Sequence, residues 1–235
     1  MLEAVRTRAR TYFEDAPPAH DWHHVQRIDT LAETLCERHP EPVDERVVRL
    51  AVVLHDIGRA REDRGEIDDH ARWGAREAGA ILRDCGAETE TIECVQHCIR
   101  AHRYSNDVEP ATPAAKIVAD ADDLDALGAV GIARAFAHGG AVGSPIHHPT
   151  CPVDEDDTEA GATQYNHCSK KLLALAERLY TDAGRDLRCR SCGVRSGLPG
   201  AGRQGSRRRA LTASAETVCC PDVPAHPQDG SRMCR

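Results

Sequence analysis

The chain has 235 residues, which allows one large domain or two small ones, and only 3% of them are aromatic. No run of residues approaches the 18 apolar positions that a membrane-spanning helix needs, so no membrane partner is expected. The first 187 residues carry 21 basic and 35 acidic side chains. Their net charge of -14 argues against a nucleic-acid-binding surface. The N-terminal stretch lacks the apolar core of a secretory signal, and a cytoplasmic protein is expected.

Apolar periodicity predicts helices over the first 187 residues and no convincing strand. In chain order, the predicted helices cover residues 1–15, 21–39, 44–56, 70–85, 88–102, 113–136 and 164–186. Pro17 and Pro18 separate the first two, because proline breaks a helix interior. The stretch 139–161 is rich in Gly, Pro and acidic residues and predicts a loop that is mobile over the site. The sequence therefore predicts an all-α fold, a helical bundle.

The most informative feature is the pair His55-Asp56, which directly follows the apolar run Val47 to Leu54. Polar side chains at the end of a buried helix need partners, because burying them unpaired costs free energy. A divalent metal ion is one such partner, since it binds an imidazole nitrogen and a carboxylate oxygen. The pair alone would equally fit a turn or a helix cap.

Two further candidates for metal binding lie elsewhere in the chain. His24 shares one helical face with Ile28 and Leu35, where a lone histidine is more often a satisfied core residue. Asp122 belongs to the cluster ADADDLD, and acidic clusters are usually solvated. However, Asp122 and Asp125 lie on one face of an otherwise apolar helix, so Asp122 is expected to point inward. Together the four groups make a two-His, two-Asp site that is open enough to keep water ligands.

Three separate motifs, in order, resemble a known family. They are HDWHHVQRI from His20 to Ile28, LHDIG from Leu54 to Gly58, and KIVADADDLDALGAVGIARAFAHGG from Lys116 to Gly140. Their combination resembles a bacterial and archaeal subgroup of the HD superfamily of metal-dependent phosphohydrolases, whose members act on nucleotides. The resemblance covers about residues 1 to 187 and implies an HD-domain helical bundle.

The resemblance, carried over residue by residue, implies a set of metal ligands: His24, His55, Asp56 and Asp122. Asp120 is the main rival for the last place, because it is acidic and only two residues away. A mixed shell of His and Asp suits Mn, Fe, Ni, Co, Zn and Mg, and does not choose among them. One ion is favoured, because no His-His pair follows the helix that carries His97.

Other residues are expected to act on the substrate. Asp56 can ligate the ion and also orient the attacking water, while His97 or His102 would contact phosphate or donate a proton. Lys116 offers a point charge suited to phosphate. His70 belongs to the helices that supply extra ligands in relatives with two metals. Each of these histidines could equally be a surface or core residue.

The expected function is hydrolysis of a phosphate ester or anhydride of a nucleotide or similar small molecule by a metal-activated water. One alternative is a non-catalytic protein that binds metal or nucleotide. Another is a phosphodiesterase on a cyclic nucleotide, although the Gly-Tyr-Pro motif of the cyclic-dinucleotide branch is absent. The substrate, the scissile bond and the oligomeric state stay open.

The last 48 residues, 188–235, have a different composition, with nine Arg, five Cys, no aromatic residue and no Ile. Such a tail cannot support a packed core and is expected to be unstructured. Zinc binding is disfavoured, because Cys189 and Cys192 have no second Cys-x-x-Cys motif to pair with. Related HD proteins continue their last helix past a point like Asp186, so we hypothesise that the tail arises from a reading-frame shift. Resequencing the gene tests this, and an in-frame tail in the native transcript would reject it.

Overall fold

The computed structural model describes residues 1–104, 107–151 and 158–191. Within these ranges the chain forms eleven α-helices and no β-strand, which confirms the predicted all-α fold. None of these helices has the length and apolar character that crossing a bilayer requires. The helices are α1 (Leu2–Arg10), α2 (Trp22–Arg38), α3 (Glu45–Leu54), α4 (Arg59–Asp63), α5 (His70–Asp84), α6 (Thr89–His102), α7 (Pro113–Asp125), α8 (Gly128–Val142), α9 (Gln164–His167), α10 (Leu173–Arg178) and α11 (Asp182–Ser191).

Five of the described helices begin at side chains that accept a hydrogen bond from the backbone N–H three residues later. These caps are Asp21 on α2, Asp44 on α3, Asp69 on α5, Thr112 on α7 and Thr163 on α9. Such side chains satisfy N–H groups that the first helical turn leaves without a partner. The predicted starts of these helices are therefore confirmed.

Helix α3 forms the centre of the hydrophobic core. Its residues from Val47 to Leu54 are all buried except Arg49, and α1, α2, α6 and α7 pack around it. A helix that is apolar on nearly all sides belongs in the interior. The end of α3 therefore places His55 and Asp56 in the interior of the protein. His55 is 1% exposed and Asp56 is 5% exposed.

The prediction of a single helix from 113 to 136 is wrong, because the chain turns between α7 and α8. Leu127 is extended, and Gly128 has a φ of 67°, which is unfavourable for residues with a side chain. The turn is so tight that a Cβ on Gly131 would lie 1.9 Å from the Ala126 carbonyl oxygen. After the break, Arg134 on α8 contacts Asp125 of α7 and His24 of α2.

The predicted last helix, 164–186, is also interrupted. A π-helical turn, Cys168–Leu172, joins α9 to α10, and the chain then leaves the helix before α11. The buried carboxylate of Asp120 on α7 explains the second break, because it accepts hydrogen bonds from the backbone N–H groups of Tyr180 and Thr181 at 2.7 and 2.8 Å. It also accepts one from the Thr181 hydroxyl at 2.6 Å. The predicted unstructured tail begins at Arg188, whereas α11 continues to Ser191, so its first four residues are helical. The other tail residues, 192–235, lie outside the described ranges.

We expect Asp120→Ala to lower the free energy of unfolding by roughly 2–4 kcal/mol. The alanine would leave two backbone N–H groups and the Thr181 hydroxyl without their acceptor in a buried place, and each such loss is costly. Chemical denaturation monitored by circular dichroism measures the change. Asp120→Asn keeps one acceptor oxygen and should lose less. Equal stability of all three proteins would contradict this role.

Candidate metal centre and active site

Asp56 lies at the centre of a histidine cluster. Five imidazole nitrogens lie between 3.2 and 3.7 Å from its carboxylate oxygens. Oδ2 faces His20, His24 and His55, whereas Oδ1 faces His70 and His102. Both oxygens of this one carboxylate therefore face histidines.

Asp122 on α7 completes one side of this cluster. Its Oδ1 lies 3.6 Å from Nε2 of His24. Ligand atoms of His24, His55 and Asp122 lie within 4.8 Å of one another, as do those of His55, Asp56 and His102. The structure thus brings together all four residues that the family resemblance implied as metal ligands.

His55 provides a physical test of whether these residues fit a metal ion. Its Nδ1 lies 2.7 Å from the carbonyl oxygen of Val52, which can only accept, so Nδ1 carries the hydrogen. Burial lowers the pKa of His55 to about 4, and the ring is therefore neutral at neutral pH. Its Nε2 then carries a lone pair and no hydrogen. This nitrogen is buried and has no hydrogen-bond partner in the described part of the chain. A divalent cation would satisfy this nitrogen and the two carboxylates beside it.

His24 is oriented in the same way, by a carboxylate. Its Nδ1 donates to Oδ2 of Asp125 at 2.8 Å, so in the neutral ring Nε2 is the acceptor nitrogen. The guanidinium of Arg134 lies 3.4 Å from that Nε2 and can only donate, which agrees with this tautomer. Nε2 faces the carboxylates of Asp56 and Asp122. A buried acid that holds the outer nitrogen of a histidine is a common support for metal ligation.

Asp125 is itself held by three side chains. Besides His24, it accepts hydrogen bonds from Arg27 at 2.7 and 3.0 Å and from Arg134 at 2.8 Å. Burial acts to raise the pKa of Asp125, but hydrogen bonds from His24 and Arg27 hold it well below its usual range. The carboxylate therefore stays ionised and keeps the His24 ring fixed.

His70 and His102, which face Oδ1 of Asp56, are also held in a fixed orientation. Nδ1 of His102 donates to the Ile99 carbonyl at 2.6 Å, and Nδ1 of His70 donates to Glu62 at 2.6 Å. Burial acts to raise the pKa of Glu62, but hydrogen bonds from His70 and Arg103 outweigh it and bring the pKa to about 2. Both histidines therefore present Nε2 toward Oδ1 of Asp56.

The structure places two of the predicted catalytic residues elsewhere. His97 lies on another side of α6 from His102, and its Nε2 accepts a hydrogen bond from the backbone N–H of Ala111. Lys116 lies six residues before Asp122, on a different side of α7. Within the described ranges, neither residue lines the cavity that contains Asp56, whereas His102 does. Asp120, the rival ligand, is engaged by Tyr180 and Thr181 instead.

A cavity of about 700 Å³ opens onto the cluster and contains groups that sequence reasoning missed. Among its lining residues are His20, Arg59, Glu62, Arg103, Arg134 and Lys171. Arg134 could have been recognised in the sequence, since it is the one Arg or Lys in the apolar stretch of α8. No sequence pattern marks Arg59, Arg103 and Lys171 as site residues, because only the folding of distant segments brings them together.

The fold and this site define the class of protein. Residues 21–127 match the model of the family described as HD domain. Together with the relative described next, this match shows that the chain belongs to the HD superfamily. Both the family and the fold support a metal-dependent phosphohydrolase in general.

Individual relatives agree with this assignment. The uncharacterized protein YpgQ of Bacillus subtilis is 33% identical over 191 residues, which span 80% of this chain and 84% of that protein. The crystal structure of YpgQ in complex with ADP is similar with a TM-score of 0.62 and 30% identity, covering 81% of this chain and 86% of that chain. An HD-superfamily hydrolase from Bacillus thuringiensis is similar with a TM-score of 0.59 and 30% identity, covering 82% and 90%.

Proposed function

We propose that this protein is a metal-dependent phosphohydrolase that cleaves a phosphate ester or anhydride of a nucleotide or similar small molecule with water. The observation that carries the proposal is the neutral His55, whose buried Nε2 faces the carboxylate of Asp56 and has no hydrogen-bond partner among the described residues. The similarity to YpgQ, which was crystallised with ADP, supports a nucleotide as the substrate.

His24, His55, Asp56 and Asp122 would hold the ion. Two imidazoles and two carboxylates suit Mn, Fe, Ni, Co, Zn and Mg. When bound, such an ion polarises a phosphoryl oxygen and lowers the pKa of a water molecule. The cavity leaves open space beside Asp56 and Asp122, as a hydrolytic site requires.

Several side chains of the protein support the reaction from around the cavity. Asp56 can accept a hydrogen bond from the attacking water and so orient it toward phosphorus. His70 and His102, whose Nε2 atoms face Asp56, can hold or donate a proton beside the substrate. Arg59 and Arg103 line the same cavity and place positive charge where phosphate oxygens would lie.

A phosphate-release screen tests this function. The full-length protein, stripped and reloaded with each metal in turn, would be given nucleoside mono-, di- and triphosphates, with orthophosphate and pyrophosphate measured separately. We expect metal-dependent release from at least one class, and its loss in Asp122→Ala. Glu93→Ala, an exposed acid on α6, is the control that should keep full activity.

The screen also separates the alternatives. Bound metal with no release from any compound would contradict the hydrolase and favour the non-catalytic binder. Release from cyclic nucleotides alone would favour the phosphodiesterase. Activity that survives in Asp122→Ala would contradict the ligand assignment.

A further inference from the structure

Four cationic side chains line the cavity, and three of them already have acidic partners. In each of these pairs a guanidinium nitrogen lies close to a carboxylate oxygen. The distances are 3.2 Å from Arg59 to Asp63, 2.8 Å from Arg103 to Glu62 and 2.8 Å from Arg134 to Asp125. The fourth cation is Lys171, which forms no ion pair or hydrogen bond with the described residues. Among the described residues, Lys171 is therefore the lining Arg or Lys side chain that has no ion-pair partner.

The fold directs Lys171 into the cavity through one face of the segment from α9 to α10. Gln164, His167, Lys171 and Leu175 all line the cavity and are spaced three, four and four residues apart, which is the spacing of a single helical face. Lys171 lies in the π-helical turn Cys168–Leu172, and such turns occur frequently at functional sites. The neighbouring Lys170 does not line the cavity.

Lys171 lines the same cavity as Asp56 and Asp122, two of the proposed metal ligands. Its side chain is exposed within this open cavity. Desolvation by the cavity lining and the charge of Arg59 lower the pKa of Lys171, whereas Asp122 acts to raise it. A compact ammonium with three donors suits the non-bridging oxygens of a phosphate group.

We propose that Lys171 binds a phosphate group of the substrate within the cavity, the role that the sequence pattern gave to Lys116. The inference rests on the proposed function, because it takes an anionic phosphate compound as the ligand. Since Arg59, Arg103 and Arg134 are already paired, Lys171 is the cation that gains most from a bound phosphate. A charge-assisted hydrogen bond of this kind strengthens binding about 10- to 100-fold.

Binding of ADP to the Mn-loaded, full-length protein tests the role of Lys171, with isothermal titration calorimetry as the measurement. We expect Lys171→Gln and Lys171→Ala to weaken ADP binding about 10- to 100-fold at unchanged metal content. Lys171→Arg should keep affinity within about threefold, because it keeps the charge. Lys170→Gln is the matched control, since it removes the adjacent lysine and should bind ADP like the unaltered protein.

A purely structural role for Lys171 would give a different pattern. Adenosine carries no phosphate, so its binding should be the same in Lys171→Gln and the unaltered protein. Equal loss of adenosine and ADP binding, or an equal loss in Lys170→Gln, would overturn the proposal. So would undiminished ADP binding in both Lys171→Gln and Lys171→Ala, or no ADP binding by the unaltered protein.

These measurements separate this proposal from the proposed function. ADP binding that depends on Lys171, without phosphate release from any compound, would support the role of Lys171 and contradict the hydrolase. Phosphate release with the same KM in Lys171→Gln as in the unaltered protein would support the hydrolase and overturn the role of Lys171.

Discussion

Asp56→Ala should lose bound metal and phosphate release together, each by more than about 100-fold. Loss of a residue that only supports a metal ligand already costs about 10- to 100-fold, so loss of the central ligand should exceed that range. Asp56 is 5% exposed and faces five histidines, so its loss removes the carboxylate at the centre of the cluster. Metal analysis by mass spectrometry and the phosphate-release assay measure the two losses.

The fold should survive this change, because the side chain removed is polar and lies at the end of α3 rather than within its apolar body. Far-UV circular dichroism should show unchanged helicity. His55→Ala should show the same joint loss, since it removes the unpartnered Nε2. Metal retained at the level of the unaltered protein in both variants would show that these residues are not the ligands.

Asp125→Asn should weaken metal affinity about 10- to 100-fold, although Asp125 is not itself a proposed ligand. The change removes the negative charge that faces Nδ1 of His24. It also leaves the guanidinium groups of Arg27 and Arg134 without their anionic partner close to the site. Both effects disfavour a nearby cation. A competition titration with a metal chelator measures the affinity.

Asp29 offers a matched control for that experiment. It is also a nearly buried acid with two arginine partners, Arg6 and Arg49, but these contacts involve none of the proposed ligands. Asp29→Asn should lower stability without changing metal affinity. If both variants lose metal to the same extent, the loss comes from general destabilisation, and the specific role of Asp125 is contradicted.

Much of the fold could be predicted from sequence, because its signals are local. Side chains at Asp21, Asp44 and Thr112 cap their own helices, and that chemistry depends on only three following residues. The break between α10 and α11 was missed because it depends on tertiary structure. The hydrogen bond from the backbone N–H of Tyr180 to Asp120 joins residues sixty positions apart. The spacing of apolar residues along the chain cannot predict such a contact.

The site was predictable where polar residues interrupt apolar faces. His55 and Asp56 end a buried helix, and His24 lies on an apolar face, so each required a partner inside the protein. Helical spacing could not show that His97 faces Ala111 or that Lys171 enters the cavity. Those placements depend on how separate helices pack.

The acidic cluster of α7 shows why composition alone misleads. Acidic clusters are usually solvated, yet each of these four carboxylates has a separate environment. Asp120 accepts a hydrogen bond from Thr181, and Asp125 accepts one from His24. Asp123 forms an ion pair with Arg178 at 3.0 Å. Asp122 alone faces the proposed metal site from this cluster. Only the structure assigns these roles, because the partners come from different helices.

Anomalous diffraction from a crystal of the Mn-loaded protein tests the central claim most directly, since it locates the ion. We expect one strong peak about 2.0–2.3 Å from Nε2 of His24, Nε2 of His55 and carboxylate oxygens of Asp56 and Asp122, the usual range for such ligands. A second peak between His70 and His102 would contradict the expectation of one ion. A peak away from Asp56, or none at full metal loading, would contradict the assignment of this cluster as the metal centre.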